Sequence, residues 1–364
     1  MDPRVREHAE IIANHSIDLS AGDNLVIDAH PVAEDLVTAL YELAADRGAH
    51  PLAVTQRAGE RYSRAFLRNH DGEFELPEHE LALVEAMDAY VAIRANRNVT
   101  ESADVDPDAQ TAYDTARQPI REERLSTRWC LTQYPAPANA QLAETSTEAY
   151  ENFVWDAVNK DWAAQGEFQQ QMVEILDPAD EVRIVSGEDT DLTMSVAGNH
   201  TLNDVGERNL PGGEVFTAPV VDSVEGEVLF DKPLYHQGRE VTDAHLRFED
   251  GQVVEHSAAK NEDVLTSVLE TDKGARYLGE LGIGMNRDID RFTYNMLFDE
   301  KMGDTVHMAV GRAYEATVGA DNETNESAVH VDMIVDMGED SCIEVDGEVV
   351  QRDGTFRFED GFEG

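Results

Sequence analysis

"NLVIDAHPVAEDLVTALYELAADRGAHPLAVT", residues 24–55, decides the first half of the fold. Within residues 24–29, Leu25, Val26 and Ile27 form an apolar run bounded by Asn24 and Asp28, which reads as a buried strand. Residues 32–50 carry apolar side chains at helical spacing and close on Gly48, which predicts a helix. "PLAVT" (51–55) then predicts a second strand. Strand–helix–strand is the repeating unit of a parallel sheet covered on both faces.

The unit recurs along the chain. Helical "LALVEAMDA" leads into a strand at "AYVAIRA" (89–95), and another helix precedes "TRWCLTQYP" (127–135). Val5, Ile11, Ile12 and Ile17 mark an amphipathic helix over 3–18, and 145–176 reads as helical. The expectation is an α/β N-terminal domain, residues 1–178, with a Rossmann-like parallel sheet. No G-x-G-x-x-G follows the first strand. "LGIGMNR" (281–287) has paired glycines but lacks the third and lies in the other half, so nothing points to a nicotinamide cofactor.

Past Pro178 the texture changes. "EVRIVSG", "DLTMSVAG", "GEVFTAPV", "GEVLFDKP", "AHLRFEDGQVVEH" and "IEVDGEVVQRDGTFRF" are short alternating segments punctuated by Gly and Asp-Gly. They predict a β-rich α+β domain over 179–364, with hairpin turns at "EDGQ" (249–252) and "VDGE" (345–348).

Charge sets the second constraint. The chain has 75 acids against 28 Lys and Arg, a net charge of −47, and lysine occurs only at Lys160, Lys232, Lys260, Lys273 and Lys301. The acids are spread between apolar segments rather than gathered in a tail, so the whole surface of a folded protein is acidic, as in halophilic proteins. Such a charge speaks against nucleic acid as a partner. No apolar run approaches the ~20 residues of a membrane span. The N-terminus has no signal-peptide core, so a cytoplasmic location is expected. Cys130 and Cys342 read as buried thiols.

Candidate chemistry lies in the second half. "LPGGEVFTAP" (210–219) places Glu214 where a Pro-Gly-Gly turn becomes a strand; the carboxylate is either solvated or held there for a cation. "YLGELGIG" (277–284) surrounds Glu280 with Leu, Ile and Gly, where burial is costly unless the acid is paired or metal-bound. An edge strand facing solvent is the other reading. "TVHMAVGRAY" (305–314) alternates through Val306, Met308 and Val310, a strand carrying His307 and interrupted at Gly311 before Tyr314. Singly, His307 and Tyr314 read as core residues. "SAVHVDMIVDM" (327–337) turns Val329, Val331, Met333 and Val335 one way, and His330, Asp332 and Ile334 the other. H-x-D on one strand face suits a divalent ion or a surface pair. Together, three carboxylates and two imidazoles can hold two divalent cations without a thiolate. Such a pair activates water and polarises a carbonyl or phosphoryl group, the chemistry of a two-metal hydrolase.

Four phrases, in order, resemble the metal-binding segments of the thermophilic aminopeptidase family, to which aminopeptidases T and S belong. They are "ERNLPGGEVFTAPVVDSVEGEVLFD" (207–231), "TDKGARYLGELGIGMN" (271–286), "LFDEKMGDTVHMAVGRAY" (297–314) and "NESAVHVDMIV" (325–335). The likeness is dense over about 190–350 and mainly one of layout before that. The resemblance implies a ligand set of Glu214, Glu280, His307, Tyr314, His330 and Asp332 around two divalent ions: zinc, cobalt or manganese. It implies catalytic roles for Glu280, Glu214 and Tyr314, and a homodimer that removes N-terminal residues from short peptides. The sequence departs from the family in a shorter stretch between Tyr314 and His330 and in Met333, where an aromatic is common. A phosphoesterase using the same ligand types, or a non-enzymatic cation-binding protein, are the rival readings.

The charge generates the first prediction. Lengthening the Debye length from roughly 3 Å in molar salt towards 30 Å in dilute buffer should unfold the protein through self-repulsion. Circular dichroism should show native structure in molar KCl and its loss on dialysis; an unchanged spectrum overturns the halophilic reading.

Overall fold

The computed structural model describes residues 1–55, 60–236 and 239–364. The chain divides into two compact units, residues 1–160 with 206–212, and residues 161–205 with 213–364.

The first unit is built on a five-stranded parallel sheet. Its order is His50–Val54, Asn24–Ala29, Ala89–Arg94, Arg128–Gln133 and Asn209–Leu210. Five consecutive residues are buried in each of the strands Asn24–Ala29 and Ala89–Arg94, which requires cover on both sheet faces. The intervening helix runs Glu34–Arg47 and ends at Gly48, whose φ of +74° lets its N–H reach Ala44 and Ala45 carbonyls. The predicted helix over 3–18 is helical at Pro3–Ile11 and passes into a π turn at Ile12–Ser16. The helical stretch 145–176 is two helices, Thr147–Val158 in this unit and Trp162–Leu176 in the second unit. Asp161 caps the latter helix, its Oδ1 accepting from Ala163 and Ala164 N–H.

The second unit is antiparallel. An eight-stranded sheet runs Gln252–Ser257, Ala244–Glu249, Glu225–Phe230, Thr190–Ser195, Glu181–Ser186, Ser341–Val345, Glu348–Arg352, Thr355–Phe356. Both Asp-Gly turns form as expected, with Asp250, Gly251, Asp346 and Gly347 all at positive φ. A five-stranded sheet runs His330–Asp336, Thr305–Gly311, Leu278–Gly284, Glu214–Thr217, Leu202–Asp204. One apolar core joins the two sheets, with Ile184, Leu192, Val228 and Ile343 from the larger and Val215, Ile283, Met308 and Met333 from the smaller. Cys130 and Cys342 are buried thiols.

In the first unit His8 is fully buried, edge-on to Trp155. Thr132 Oγ1 donates to Leu210 O at 2.8 Å, so its lone pair accepts from His8 Nε2–H, also at 2.8 Å. The other ring nitrogen, Nδ1, has no acceptor for a second proton. Burial therefore holds the imidazole neutral, its pKa pushed down to about 3. The unfolded chain takes up that proton near 6.5 and the folded one does not. The stability is thus complete above 6.5 and is lost as pH falls, by about 1.4 kcal/mol per unit. Between pH 7.5 and 5 His8 should cost about 2 kcal/mol. Denaturant titrations of His8→Gln, whose amide keeps a donor for Thr132, should show that part of the pH slope removed; equal slopes would refute it.

Candidate metal centre

The smaller sheet of the second unit collects its polar side chains by alternation. In a strand, residues two apart share a face. Val215, Leu281, Ile283, Val306, Met308, Val310, Val331, Met333 and Val335 all belong to the inter-sheet core. The opposite face therefore presents Glu214, Glu280, His307, His330 and Asp332 from four adjacent strands.

Register brings them together. Gly282 pairs with both Phe216 and His307, while Glu280 pairs with Ala309, and Ala309 with Asp332. His307 lies across Gly282: a Cβ there would come within 2.1 Å of the ring's Cε1 and Nε2. The glycine interleaving of Glu280 is thus room for the imidazole. Glu280 is 5 % exposed and lies on an inner strand, which corrects the edge-strand alternative. Glu214 follows Gly213, whose φ of +118° and close approach to Asn286 exclude a side chain. Gln169, buried on the helix Trp162–Leu176, donates to Glu214 O at 2.9 Å and fixes the strand from the other side. The carboxylate is held, not solvated.

His307 Nε2 lies 3.2 Å from Glu214 Oε2 and 3.2 Å from Glu280 Oε1. His330 Nε2 lies 3.7 Å from Glu280 Oε2 and 3.4 Å from Asp332 Oδ1. The ring's other nitrogen, Nδ1, donates to Arg312 O at 2.7 Å, which turns Nε2 towards the carboxylates. Two groups result, Glu214–Glu280–His307 and Glu280–His330–Asp332, with Glu280 common to both. Within each, the ligand atoms lie within 4.8 Å of one another. Tyr314 stands at the rim. It is 44 % exposed, and its ring packs 5.0 Å from that of His330 and 6.2 Å from that of Phe216.

The electrostatics follow from burial. Burial and the neighbouring Asp332 push Glu280 up, although the bond to His307 opposes this. Burial also acts on Glu214, but Lys301 and His307 outweigh it and hold the group below the carboxylate range. For Asp332 the adjacent His330 overcomes burial and brings the pKa to about 2; His330 in return rises to about 9. Tyr314, half-exposed as a residue, is raised by partial desolvation at the rim and by the surrounding acids.

Sequence reasoning missed three charged residues. Lys301 is wholly buried, its Nζ 3.1 Å from Glu214 Oε1 and 3.7 Å from Asp204 Oδ2, and in contact with Glu300. Burial raises Glu300 to about 8 against the pull of Lys301. The available signal was compositional and did not single out Lys301: two of the five lysines, Lys273 and Lys301, sit inside the metal-binding phrases.

The donor set fits a divalent cation. Glu214 Oε2 and Glu280 Oε2 are buried without a hydrogen-bond partner, an arrangement expensive to fold unless a cation takes them up. Oxygen and imidazole ligands without thiolate suit a borderline or hard metal.

A carboxylate–imidazole centre on a sheet face is a metal-dependent hydrolase's equipment, and the comparisons agree. The family model for "Thermophilic metalloprotease (M29)" matches residues 1–356, and the chain belongs to that family. It is 26 % identical to aminopeptidase AmpS of Bacillus subtilis over 98 % of both chains. It is 37 % identical to aminopeptidase T of Thermus aquaticus over 190 residues, 46 % of this chain and 45 % of that protein. The structure of wild-type AmpT from Thermus thermophilus matches with a TM-score of 0.86 and 25 % identity, covering 98 % of this chain and 99 % of that one. A 2,5-dihydroxypyridine dioxygenase from Pseudomonas putida shares the fold at a TM-score of 0.62 and 14 % identity, over 98 % of this chain and 97 % of that one. The protein is therefore a hydrolase of a metalloprotease family with an α/β region followed by an antiparallel one.

Gly282→Ala tests the packing directly. The methyl must displace the His307 ring, so metal affinity should fall about 10–100-fold, as for lost orienting contacts. The overpacking should cost ~1–3 kcal/mol. Metal analysis after equilibrium dialysis reads the first effect, and wild-type metal content in a folded variant would show that the ring does not need the glycine.

Proposed function

We propose that this chain is a metal-dependent aminopeptidase that releases N-terminal residues from short peptides, using two divalent cations per subunit. Glu214, Glu280 and His307 hold one, and Glu280, His330 and Asp332 the other, with zinc, cobalt or manganese as occupants. The observation that supports the reading is Glu280, common to two ligand groups, with its Oε2 and Glu214 Oε2 buried without a hydrogen-bond partner. The names of the relatives, aminopeptidases AmpS and T, supply the substrate class. A homodimer in a salt-loaded cytoplasm completes the proposal. The charge of −47 supports the salt, and no helix among the described residues is long and apolar enough to cross a membrane.

When bound, the metals supply a water of lowered pKa and polarise the scissile carbonyl. The chain's own residues do the rest. His330, oriented through Arg312 O, and His307, seated on Gly282, fix the ligand directions. A carboxylate accepts the proton of the attacking water and returns it to the leaving amine. Glu280 and Glu214 are candidates for that role. Glu300 is a third, because it lies outside both ligand groups and its raised pKa suits proton exchange near neutrality. Tyr314, at the rim beside His330, would hydrogen-bond the tetrahedral oxyanion or ligate a metal through its phenol oxygen.

A free α-amine near one metal would set cleavage at the first residue. Short peptides should lose residues one at a time from the N-terminus in molar KCl, and N-acetylated copies should be turned over at least ~10²-fold more slowly through misplacement. A chelator should abolish the activity, with zinc, cobalt or manganese restoring it. Equal cleavage of free and blocked peptides would mean an endopeptidase. Phosphoester turnover alone would mean a phosphoesterase, and metal uptake without turnover a cation-binding protein.

A further inference from the structure

We propose that Lys301 is a positioning residue of the metal centre: its ammonium group occupies one oxygen of Glu214, so that only the other is presented to a cation. The proposal rests on the two-group reading above. Glu214 Oε1 is 3.1 Å from Lys301 Nζ, whereas Oε2 is 3.2 Å from His307 Nε2 and has no hydrogen-bond partner. The two oxygens of one carboxylate therefore face two different cation positions, one filled permanently by the chain itself.

Lys301 is placed for this with little freedom. Asp299 accepts from Thr293 N, Thr293 Oγ1 and Asn295 N, closing the short helical turn Met296–Asp299 that precedes it. Lys301 N donates to Phe298 O at 2.9 Å, and Asn286 N donates to Lys301 O at 3.1 Å. Asn286 also packs on Gly213, the residue before Glu214. One asparagine thus ties the lysine backbone to the turn that delivers its carboxylate. The side chain is wholly buried, and Asp204 and Glu300 supply its remaining counter-charge.

Charge and geometry make opposite predictions. A fixed cation beside a ligand repels an incoming metal, so by Coulomb's law its removal should tighten binding. A lysine that sets the direction of Glu214 should, when removed, weaken binding, and only at the group containing Glu214. Glu280, His330 and Asp332 have no contact with Lys301 among the ion pairs of the described residues.

The test is a cobalt(II) titration of metal-stripped wild type, Lys301→Met and Lys301→Gln in molar KCl, with a competing chelator and circular dichroism to verify folding. Two equivalents are expected for wild type. Lys301→Met should bind one with unchanged affinity and the other about 10–100-fold more weakly, the range for a lost orienting contact. Lys301→Gln, which keeps an N–H donor for Oε1, should recover part of the loss. If Lys301→Met does not fold, Lys301→Gln decides alone, by weakening one equivalent and sparing the other. Tighter binding, equal weakening of both equivalents or no change overturns the role of Lys301 and leaves the metal centre standing. A wild type that takes up fewer than two equivalents overturns the two-metal reading itself.

Discussion

Five ionisable side chains share one face of a sheet whose other face is committed to the core, and the rest of the second unit answers to that crowding. Glu214, Glu280 and the half-buried Asp332 bring carboxylates close together where their repulsion is poorly screened. His307 and His330 offset part of it, and Lys301 offsets the part nearest Glu214. Two carboxylate oxygens still lack a hydrogen bond. Carboxylate oxygens that the chain's own donors leave unsatisfied suit a cation, and membership of a metalloprotease family agrees with that reading.

Holding such a cluster needs rigidity more than affinity. Here it comes from backbone that admits no alternative. Gly282 gives way to the His307 ring, and Gly311, at φ +102°, would drive a side chain into Val329 O. Asn325 then donates to Gly311 O at 2.6 Å and Gly274 O at 2.9 Å, tying the end of the strand that leads to Tyr314 to the turn Gly274–Arg276. Apolar packing on the far face fixes the strands, while these close approaches fix the side chains upon them.

What could be read from sequence follows the range of the interaction that sets it. "SAVHVDMIVDM" was legible because period-2 alternation is local: His330, Asp332 and Ile334 do point away from the core-facing Val331, Met333 and Val335. The Asp-Gly hairpins were legible for the same reason, since positive φ is a property of the turn itself. Glu280 was ambiguous, because whether its strand is inner or edge depends on partners supplied by other segments. Lys301's role could not be read: only the fold brings Asp204 and Glu214 to it, and nothing in "FDEKMG" states that the lysine turns inwards. The short strand Asn209–Leu210 was likewise unreadable, being two residues long and defined only by its parallel pairing with Arg128–Gln133.

The fold alone would not have fixed the chemistry, for a dioxygenase shares it at 14 % identity. Function lies in which side chains the exposed face of the smaller sheet carries, and these are set by single positions between invariant demands of packing. The protein then meets two electrostatic problems of different kinds. The net charge of −47 lies mostly on solvated side chains, where molar salt would screen it at distances of roughly 3 Å. Glu214 and Glu280 are buried and Asp332 half-buried, where mobile ions screen weakly, so salt cannot do for them what it does for the surface. They require fixed cations at fixed distances: two imidazoles, one lysine and the metal itself. In the proposed salt-loaded setting the shell and the centre are therefore stabilised independently, and an acidic surface can be elaborated without disturbing the ligand geometry beneath it.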